Sequence, residues 1–438
     1  MNSEDTIFAV ASGFGRAGVA VVRISGGQSR RALEALLRGR VPEPRRASLR
    51  RLHDSASGEV LDQAVVLWLP GPGSFTGEDQ AELQIHGGTA VKTAVLKALT
   101  DLPGLRGAEA GEFARRAFLN GRMDLSSVEG LADLIDAETE AQRRQALRQL
   151  EGVLSGKVAA WREQLVDALA LAEAALDFSD EADVSAKANT EAMIICRSVH
   201  REVRDVLALA GQGERLRDGY IVVIAGPPNA GKSTLLNALA RRDVAIVSPY
   251  AGTTRDALEV RCDLGGLPVT FIDTAGLRVA DDPVEQEGIA RTRRRAGEAD
   301  LVLWLASPET AGEVVETFGQ RPLVVATKRD LAVRPGEGDL SVSARTGDGM
   351  DELVGEVRRR AEAAMTGGDA VITRERHRRA FEDVSSCLGR ADEAHRAGHD
   401  ELAAEDIRLA LRALGRITGQ VDVDEVLDRI FGQFCIGK

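Results

Sequence analysis

The stretch Tyr220-Ile-Val-Val-Ile-Ala-Gly-Pro-Pro-Asn-Ala-Gly-Lys-Ser-Thr234 decides the architecture of the region around it. Tyr220–Ala225 is a short apolar, β-branched run, and the Leu-Leu-Asn-Ala-Leu-Ala-Arg-Arg after Thr234 carries apolar residues at helical spacing. A strand therefore enters a glycine-bounded loop and a helix leaves it. Within the loop, Gly226, Gly231, Lys232 and Ser233 satisfy the pattern G-x4-G-K-S. Glycines let successive backbone N–H groups converge on phosphate oxygens at a helix N-terminus, a lysine adds charge at the β- and γ-phosphates, and the serine hydroxyl reaches Mg²⁺. Asn229, Ala230, Gly231, Lys232, Ser233 and Thr234 are thus expected to surround the phosphates of a nucleotide, with Lys232 stabilising the charge that builds up on phosphoryl transfer.

Four further segments follow in order. Gly252-Thr-Thr-Arg-Asp256 offers Thr254 as a second Mg²⁺ oxygen that senses the γ-phosphate, and a strand then ends at Asp273-Thr274-Ala275-Gly276, a carboxylate near the metal and a glycine N–H near the γ-phosphate. Thr327-Lys328-Arg329-Asp330 stands where small GTPases carry Asn-Lys-x-Asp. A carboxylate at Asp330 accepts two hydrogen bonds from the N–H edge of guanine, which adenine lacks, so the base expected is guanine. Thr327 offers one hydroxyl in place of an amide, which lowers the affinity expected without removing the base-reading acid. Ser343-Ala344-Arg345 is the loop expected to pack on the base. Leu277 follows the Asp-Thr-Ala-Gly run where Ras-like proteins have a water-orienting glutamine, so hydrolysis must draw on another polar group. The acidic stretch after it holds Asp281, Asp282, Glu285 and Glu287, and is equally well read as a solvated loop.

Working outward, the chain shows three compositional regimes. Residues 1–120 hold β-branched runs (Ile7–Ser12, Gly18–Gly26, Ala64–Pro70) broken by glycine-rich turns, an α+β pattern. Residues 121–217 turn to Ala, Leu, Glu, Gln and Arg with helical spacing at Leu131, Leu134 and Ile135 and at Leu165, Leu169, Ala172 and Leu176. Residues 218–362 form the nucleotide module, and helical character resumes over 363–438. The module is thus either an insertion into one helical domain whose two halves pack together, or it separates two independent helical domains. At 438 residues with 44% hydrophobic content the chain should form about two or three domains. No apolar run reaches the roughly 18 residues of a membrane span and the opening residues lack a secretory pattern, so a cytoplasmic protein away from membranes is expected. Its 4 cysteines (Cys196, Cys262, Cys387, Cys435) are scattered, which argues against disulfides or structural zinc. A net charge of −12 confines any RNA contact to a local basic patch, and the arginine runs at 291–297 and 356–362 read as solvated helix faces.

Together with DTIFA, GVAVVRISGG, FTGEDQAELQIHGG, GEFARRAFLNGRMDL and DEVLDRIFGQFCIGK, these motifs resemble the MnmE (TrmE) family of tRNA-modification GTPases over essentially the whole length, most specifically at Phe434-Cys-Ile-Gly-Lys438. The resemblance implies a multidomain α/β and α fold: an N-terminal α+β folate-binding-like domain that dimerises, a discontinuous helical domain, and an inserted Ras-like P-loop GTPase domain. It implies modification at carbon 5 of the wobble uridine in certain tRNAs, by a homodimer working with an MnmG-type flavoprotein in a heterotetramer or larger assembly, with FAD on the partner only. A one-carbon unit from reduced folate (formyl- or methylene-tetrahydrofolate), with glycine or ammonium, builds the aminomethyl or carboxymethylaminomethyl group.

By motif, the family's folate ligands fall on Arg23, Glu82, Arg122 and Lys438, with Arg122 where relatives often show lysine. A carboxylate can pair with the donor edge of a pterin, and cations with the carboxylates of its tail. The resemblance also implies a K⁺ ion in place of an arginine finger, held by Asn229, Ser248, Tyr250 and Thr253, with Ser248 and Thr253 also beside the GTP, and it assigns the water-orienting acid to Glu285. Cys435 falls near the implied folate site, where a thiolate could attack the pyrimidine, pass a proton or shape the pocket. The competing reading is a regulatory or ribosome-assembly GTPase without one-carbon chemistry; the N-terminal region and the FCIGK end separate the two.

Overall fold

The computed structural model describes residues 5–13, 15–177, 182–246, 259–273, 299–310, 321–331, 338–365, 370–421, 427, 430–432, 434 and 437. The chain divides into two compact units, Met1–Ala132 with Gly415–Lys438, and Asp133–Leu414.

The first unit is built on a six-stranded sheet. Its strands are β1 (Thr6–Val10), β2 (Ala17–Ser25), β3 (Ser48–His53), β4 (Val60–Leu69), β5 (Gln80–Gly87) and β6 (Leu105–Gly107), in the order β3-β4-β5-β2-β1-β6. All neighbours are antiparallel except β1 and β6, which run parallel. Alternation sorts each strand between two faces. Val22, Ile24, Val66, Leu83 and Ile85 pack with Leu33 and Leu36 of α1 (Ser29–Leu37) and Leu99 of α2 (Thr89–Thr100). The other face presents Ile7 and Ala9, which meet Phe113 of α3 (Glu112–Leu119). Arg23 and Glu82 lie directly opposite one another in the β2–β5 register. Residues 415–438 belong to this unit: Leu427, Ile430, Phe431 and Phe434 pack on Ala114 and on Leu125 and Val128 of α4 (Leu125–Asp136).

A buried ionic network holds the loop between β4 and β5. Arg116, 7% exposed, donates to Glu78 at 3.0 Å and to the Asp5 carbonyl at 2.7 Å, while Ser25 donates to Glu78 at 2.8 Å. Glu112 accepts from Arg106. Burial alone would raise the Glu112 carboxyl, but the Arg106 bonds and the Glu109 amide outweigh it and hold the group below its usual range.

In the second unit, α5 (Glu140–Leu150) begins with a capping box in which Thr139 and Gln142 satisfy each other's backbone amides. Apolar residues of α6 (Val153–Asp177) recur at Leu154, Val158, Trp161, Leu165, Ala168, Ala172 and Ala175, a stripe of alternating three- and four-residue steps that packs on α7 (Ala182–Ala208). After α8 (Ala210–Asp218) comes the nucleotide module, a second six-stranded sheet. Its strands are β7 (Tyr220–Ala225), β8 (Glu259–Asp263), β9 (Pro268–Asp273), β10 (Leu301–Ala306), β11 (Leu323–Ala326) and β12 (Leu340–Ser341), in the order β12-β11-β10-β7-β9-β8, parallel but for the β8–β9 hairpin. The helix α9 (Lys232–Ala240) and α10 (Met350–Met365) cover one face, through Leu235, Leu236, Leu239, Leu353 and Val357.

Helices α11 (Glu375–Arg396) and α12 (Asp400–Thr418) follow. α11 returns to α7: Arg197 pairs with Asp392 at 2.6 Å, His200 bonds Ser385 at 3.0 Å, and Trp161 of α6 meets Phe381 edge-on with ring centroids 5.6 Å apart. The helical layer is therefore discontinuous, with the nucleotide module inserted into it. Cys196, Cys262 and Cys387 are free and buried. No described helix is long and apolar enough to cross a membrane.

Candidate functional site

Parallel strands leave their carboxyl ends on one edge of the nucleotide module, and the edge is deepest where neighbouring connections diverge to either side. β7 is that strand, flanked by β10 and β9. Its chain turns at Gly226, whose φ of +139° no L side chain adopts with ease; a Cβ there would stand 2.5 Å from the Leu305 carbonyl oxygen. β10 thus forms the back wall against which the loop lies. Asn229 adopts the left-handed region at φ +64°, and Gly231, at +96°, is the N-cap of α9. The amides of the first helical turn therefore face the space above the strand ends, the arrangement that receives an anion.

Lys232 arches over the loop and donates from Nζ to the carbonyls of Gly226 at 2.7 Å and Pro227 at 2.9 Å. Ser233 Oγ donates to Asp273 Oδ2 at 2.7 Å, and Asp273 is 2% exposed at the end of β9. Hydroxyl and carboxylate oxygens side by side form a hard donor set of the kind Mg²⁺ takes beside a nucleotide phosphate. Asn229, Ser233 and Thr234 are exposed and Ala230 is buried.

The base loop is joined to the phosphate loop through Thr327. Its hydroxyl donates to the Ala230 carbonyl at 2.6 Å, and the residue is 7% exposed. Thr327 therefore acts on the backbone of the phosphate loop, a role that pattern alone did not reveal because its partner lies 97 positions away. Lys328, at φ +56°, pairs with Glu309 at 2.8 Å. Asp330 accepts from the fully buried Ser343 Oγ at 2.8 Å, which orients its carboxylate. Ala344 is partly buried against the core and Arg345 is exposed. The structure thus gathers Asn229–Thr234, Asp273, Thr327–Asp330 and Ser343–Arg345 along one sheet edge. Ser248, Tyr250, Thr253, Thr254, Thr274, Ala275, Gly276 and Glu285 lie outside the described residues.

A second constellation occupies the Arg23 face of the first unit. Arg23 Nε and Nη2 both donate to Glu82 Oε1 at 3.1 Å, and the guanidinium lies 5.4 Å from the ring centroid of Phe75 and 5.7 Å from that of Phe113. Beside them Gln80, 2% exposed, gives its Oε1 to the Phe75 amide at 3.0 Å and leaves its Nε2 without a partner. Phe75 and Gln80 were not among the residues the sequence singled out, although the two-residue strand period puts Gln80 on the same face as Glu82. Arg122 is exposed and its stem lies against Gly77 in the β4–β5 loop. Cys435 and Lys438 lie outside the described residues; Gly437, between them, approaches the backbone of Val10 and Ala11.

Comparison with known proteins gives matches along nearly the whole chain. Residues 6–122 match the family model described as GTP-binding protein TrmE N-terminus, and 125–435 match that of the MnmE helical domain, across the nucleotide module. The tRNA modification GTPase MnmE of Methylobacterium sp. (strain 4-46) is 60% identical over 99% of this chain and 100% of its own length. That of Methylorubrum populi is 58% identical over 99% and 98%, and that of Rhodopseudomonas palustris 50% identical over 100% and 99%.

Proposed function

Because the chain belongs to the MnmE, or TrmE, family of tRNA-modification GTPases, we propose that it couples GTP hydrolysis to the building of an aminomethyl or carboxymethylaminomethyl group on carbon 5 of the wobble uridine. It is a GTP-binding enzyme that hydrolyses GTP and acts in tRNA modification. The finer reading adds a homodimer in the cytoplasm, an MnmG-type flavoprotein carrying the FAD, and reduced folate as the one-carbon donor.

We assign the site residues the following roles. Amides at the start of α9 and the Lys232 ammonium receive the β- and γ-phosphates. Asp330, steadied by Ser343, accepts the two guanine N–H groups, and Thr327 keeps base loop and phosphate loop in register. Ser233 and Asp273 are the groups that fit Mg²⁺, which would neutralise phosphate charge when bound. Thr254 would add to that shell. For K⁺, Asn229 at its left-handed φ has the backbone form of a loop that turns carbonyls outward; Ser248, Tyr250 and Thr253 complete the proposed set. Glu285 is proposed to orient the attacking water in place of Leu277.

The observation that carries the one-carbon reading is the Arg23–Glu82 pair beside the unpaired Gln80 Nε2. A pterin offers ring nitrogens, a carbonyl and an amino group to those donors and acceptors, and the half-buried Phe75 ring supplies a flat apolar wall. Arg122 and Lys438 are assigned the carboxylates of the folate tail, and Cys435 a part in the uridine chemistry. Equilibrium dialysis of the whole protein with 5-formyltetrahydrofolate tests this directly. Saturable binding, reduced about tenfold in Glu82→Gln by loss of a charged hydrogen bond, is expected; no binding by the native protein would refute the folate assignment.

A further inference from the structure

Residues 38–53 hold six arginines (Arg38, Arg40, Arg45, Arg46, Arg50 and Arg51) and one acid, Glu43, in a chain whose net charge is −12. All six arginines are exposed. Folding sets them along one border of the first unit, because β3 is the outermost strand of its sheet and pairs with β4 alone. The Arg38 guanidinium lies against Gly58 in the β3–β4 turn, and at the opposite end of β3 Arg45 donates to the Gly73 carbonyl at 2.7 Å. The row therefore follows the length of β3, about 17–20 Å at the usual strand rise. Arg38 and Arg45 hold left-handed backbone, at φ +50° and +59°. Among the described residues the other non-glycine positions of that kind are Asn229 and Lys328, both in the nucleotide site. Such backbone is kept at a cost and collects where ligands are held.

Arginine runs elsewhere in the chain are neutralised by acids one helical turn away: Arg143 and Arg144 pair with Glu140, and Arg359 and Arg360 with Glu356. On this border Arg46 pairs with Glu43 at 2.8 Å, but among the described residues no carboxylate pairs with Arg38, Arg40, Arg45, Arg50 or Arg51. Of the hairpin's acids, Asp54 accepts from Ala56 and Ser57, Asp62 is held by His86, and Glu59 is exposed at the turn. A row of guanidinium groups left without acids is complementary to a row of phosphates, each of which can be met by two parallel N–H bonds. An anionic lipid surface is held by a basic face with several apolar side chains to bury; residues 38–53 expose one large apolar side chain, Leu49. Taking tRNA as the substrate, as proposed for this chain, we infer that the β3 border docks the tRNA phosphate backbone through Arg38, Arg40, Arg45, Arg50 and Arg51. Such contacts fix position and carry no sequence preference. Gly73 lies in the β4–β5 loop that carries Phe75, so one end of the border adjoins the Arg23 site.

Filter binding of an unmodified tRNA transcript to the full-length protein, between about 50 and 200 mM salt, tests the proposal. Arg50→Glu/Arg51→Glu should weaken binding about tenfold or more and reduce the salt slope by about 1.5–2, with GTP hydrolysis and 5-formyltetrahydrofolate binding unchanged. The substituted edge stays charged and so guarded against strand addition, and the variant should sediment as the native protein does. Arg359→Glu/Arg360→Glu changes the net charge equally in the nucleotide module and should leave tRNA affinity within about twofold, since surface charges out of contact are screened. Native affinity and salt slope in the β3 variant would overturn the docking border and leave the tRNA assignment standing. Equal losses in the two variants would overturn it as well, marking a general charge effect. Absence of tRNA binding by the native protein would remove the border and count against the tRNA assignment itself. Binding to phosphatidylserine vesicles that the β3 substitutions abolish, with tRNA binding intact, would give the border to a lipid surface instead.

Discussion

Asp330 shows how little separates one purine from another. Its carboxylate, held by the Ser343 hydroxyl at 2.8 Å, can only accept hydrogen bonds, and guanine is the base that offers two on one edge. Asp330→Asn should weaken GTP about 10- to 150-fold, the worth of a hydrogen bond to a charged group, and should turn the preference towards xanthosine triphosphate; competitive nucleotide-binding assays would show the change. Retention of native GTP affinity would mean that another group reads the base. The acid was legible in the sequence because it sits at a fixed offset within a strand-to-loop pattern. Thr327 was legible as part of that motif, but its bond to the phosphate loop was not: its partner, the Ala230 carbonyl, is brought alongside only by the parallel pairing of strands far apart in the chain. Gln80 was hidden for the same reason, since an unpaired amide is a property of its packed surroundings.

At the scale of elements, strand alternation was readable and set Arg23 and Glu82 on one face, while the network that positions the loop beside them was not. Arg116 comes from α3, Glu78 from the β4–β5 loop and Ser25 from the end of β2, joined only by folding. Breaking one side of a buried ion pair costs about 3–5 kcal/mol. Arg116→Met should therefore speed hydrogen exchange across residues 71–79 and β5 by at least tenfold, measured by mass spectrometry, with exchange in β7 and β10 unchanged. The cysteines give a separate expectation. Burial pushes the thiols of Cys196 in α7 and Cys262 in β8 up to about 12. The thiolate is the nucleophile, and at pH 8 it is essentially absent from groups so shifted. Both residues should resist iodoacetamide in the native protein at pH 8 and become alkylated once it is unfolded, as read by peptide mass spectrometry; labelling of either in the folded protein would show that its helix or strand opens readily.

Across the whole molecule, the change from helical spacing to strand-and-turn pattern at Gly219, and the return to helical spacing after the module, foretold a module lying between two helical stretches. Whether the flanking helices share one layer depended on contacts such as Trp161 with Phe381 and Arg197 with Asp392, which no local pattern records. An inserted nucleotide module has a physical use: α8 leads into it and α11 follows it, so a change at the phosphates can be passed on as a change in how those helices pack. The account's central claim is that GTP held by this module serves uridine modification. Its most direct test is mass spectrometry of tRNA nucleosides from cells in which the native protein is replaced by Lys232→Ala. The account predicts that wobble uridines lose their aminomethyl or carboxymethylaminomethyl groups, as they would in cells lacking the protein; fully modified wobble uridines in both strains would contradict it.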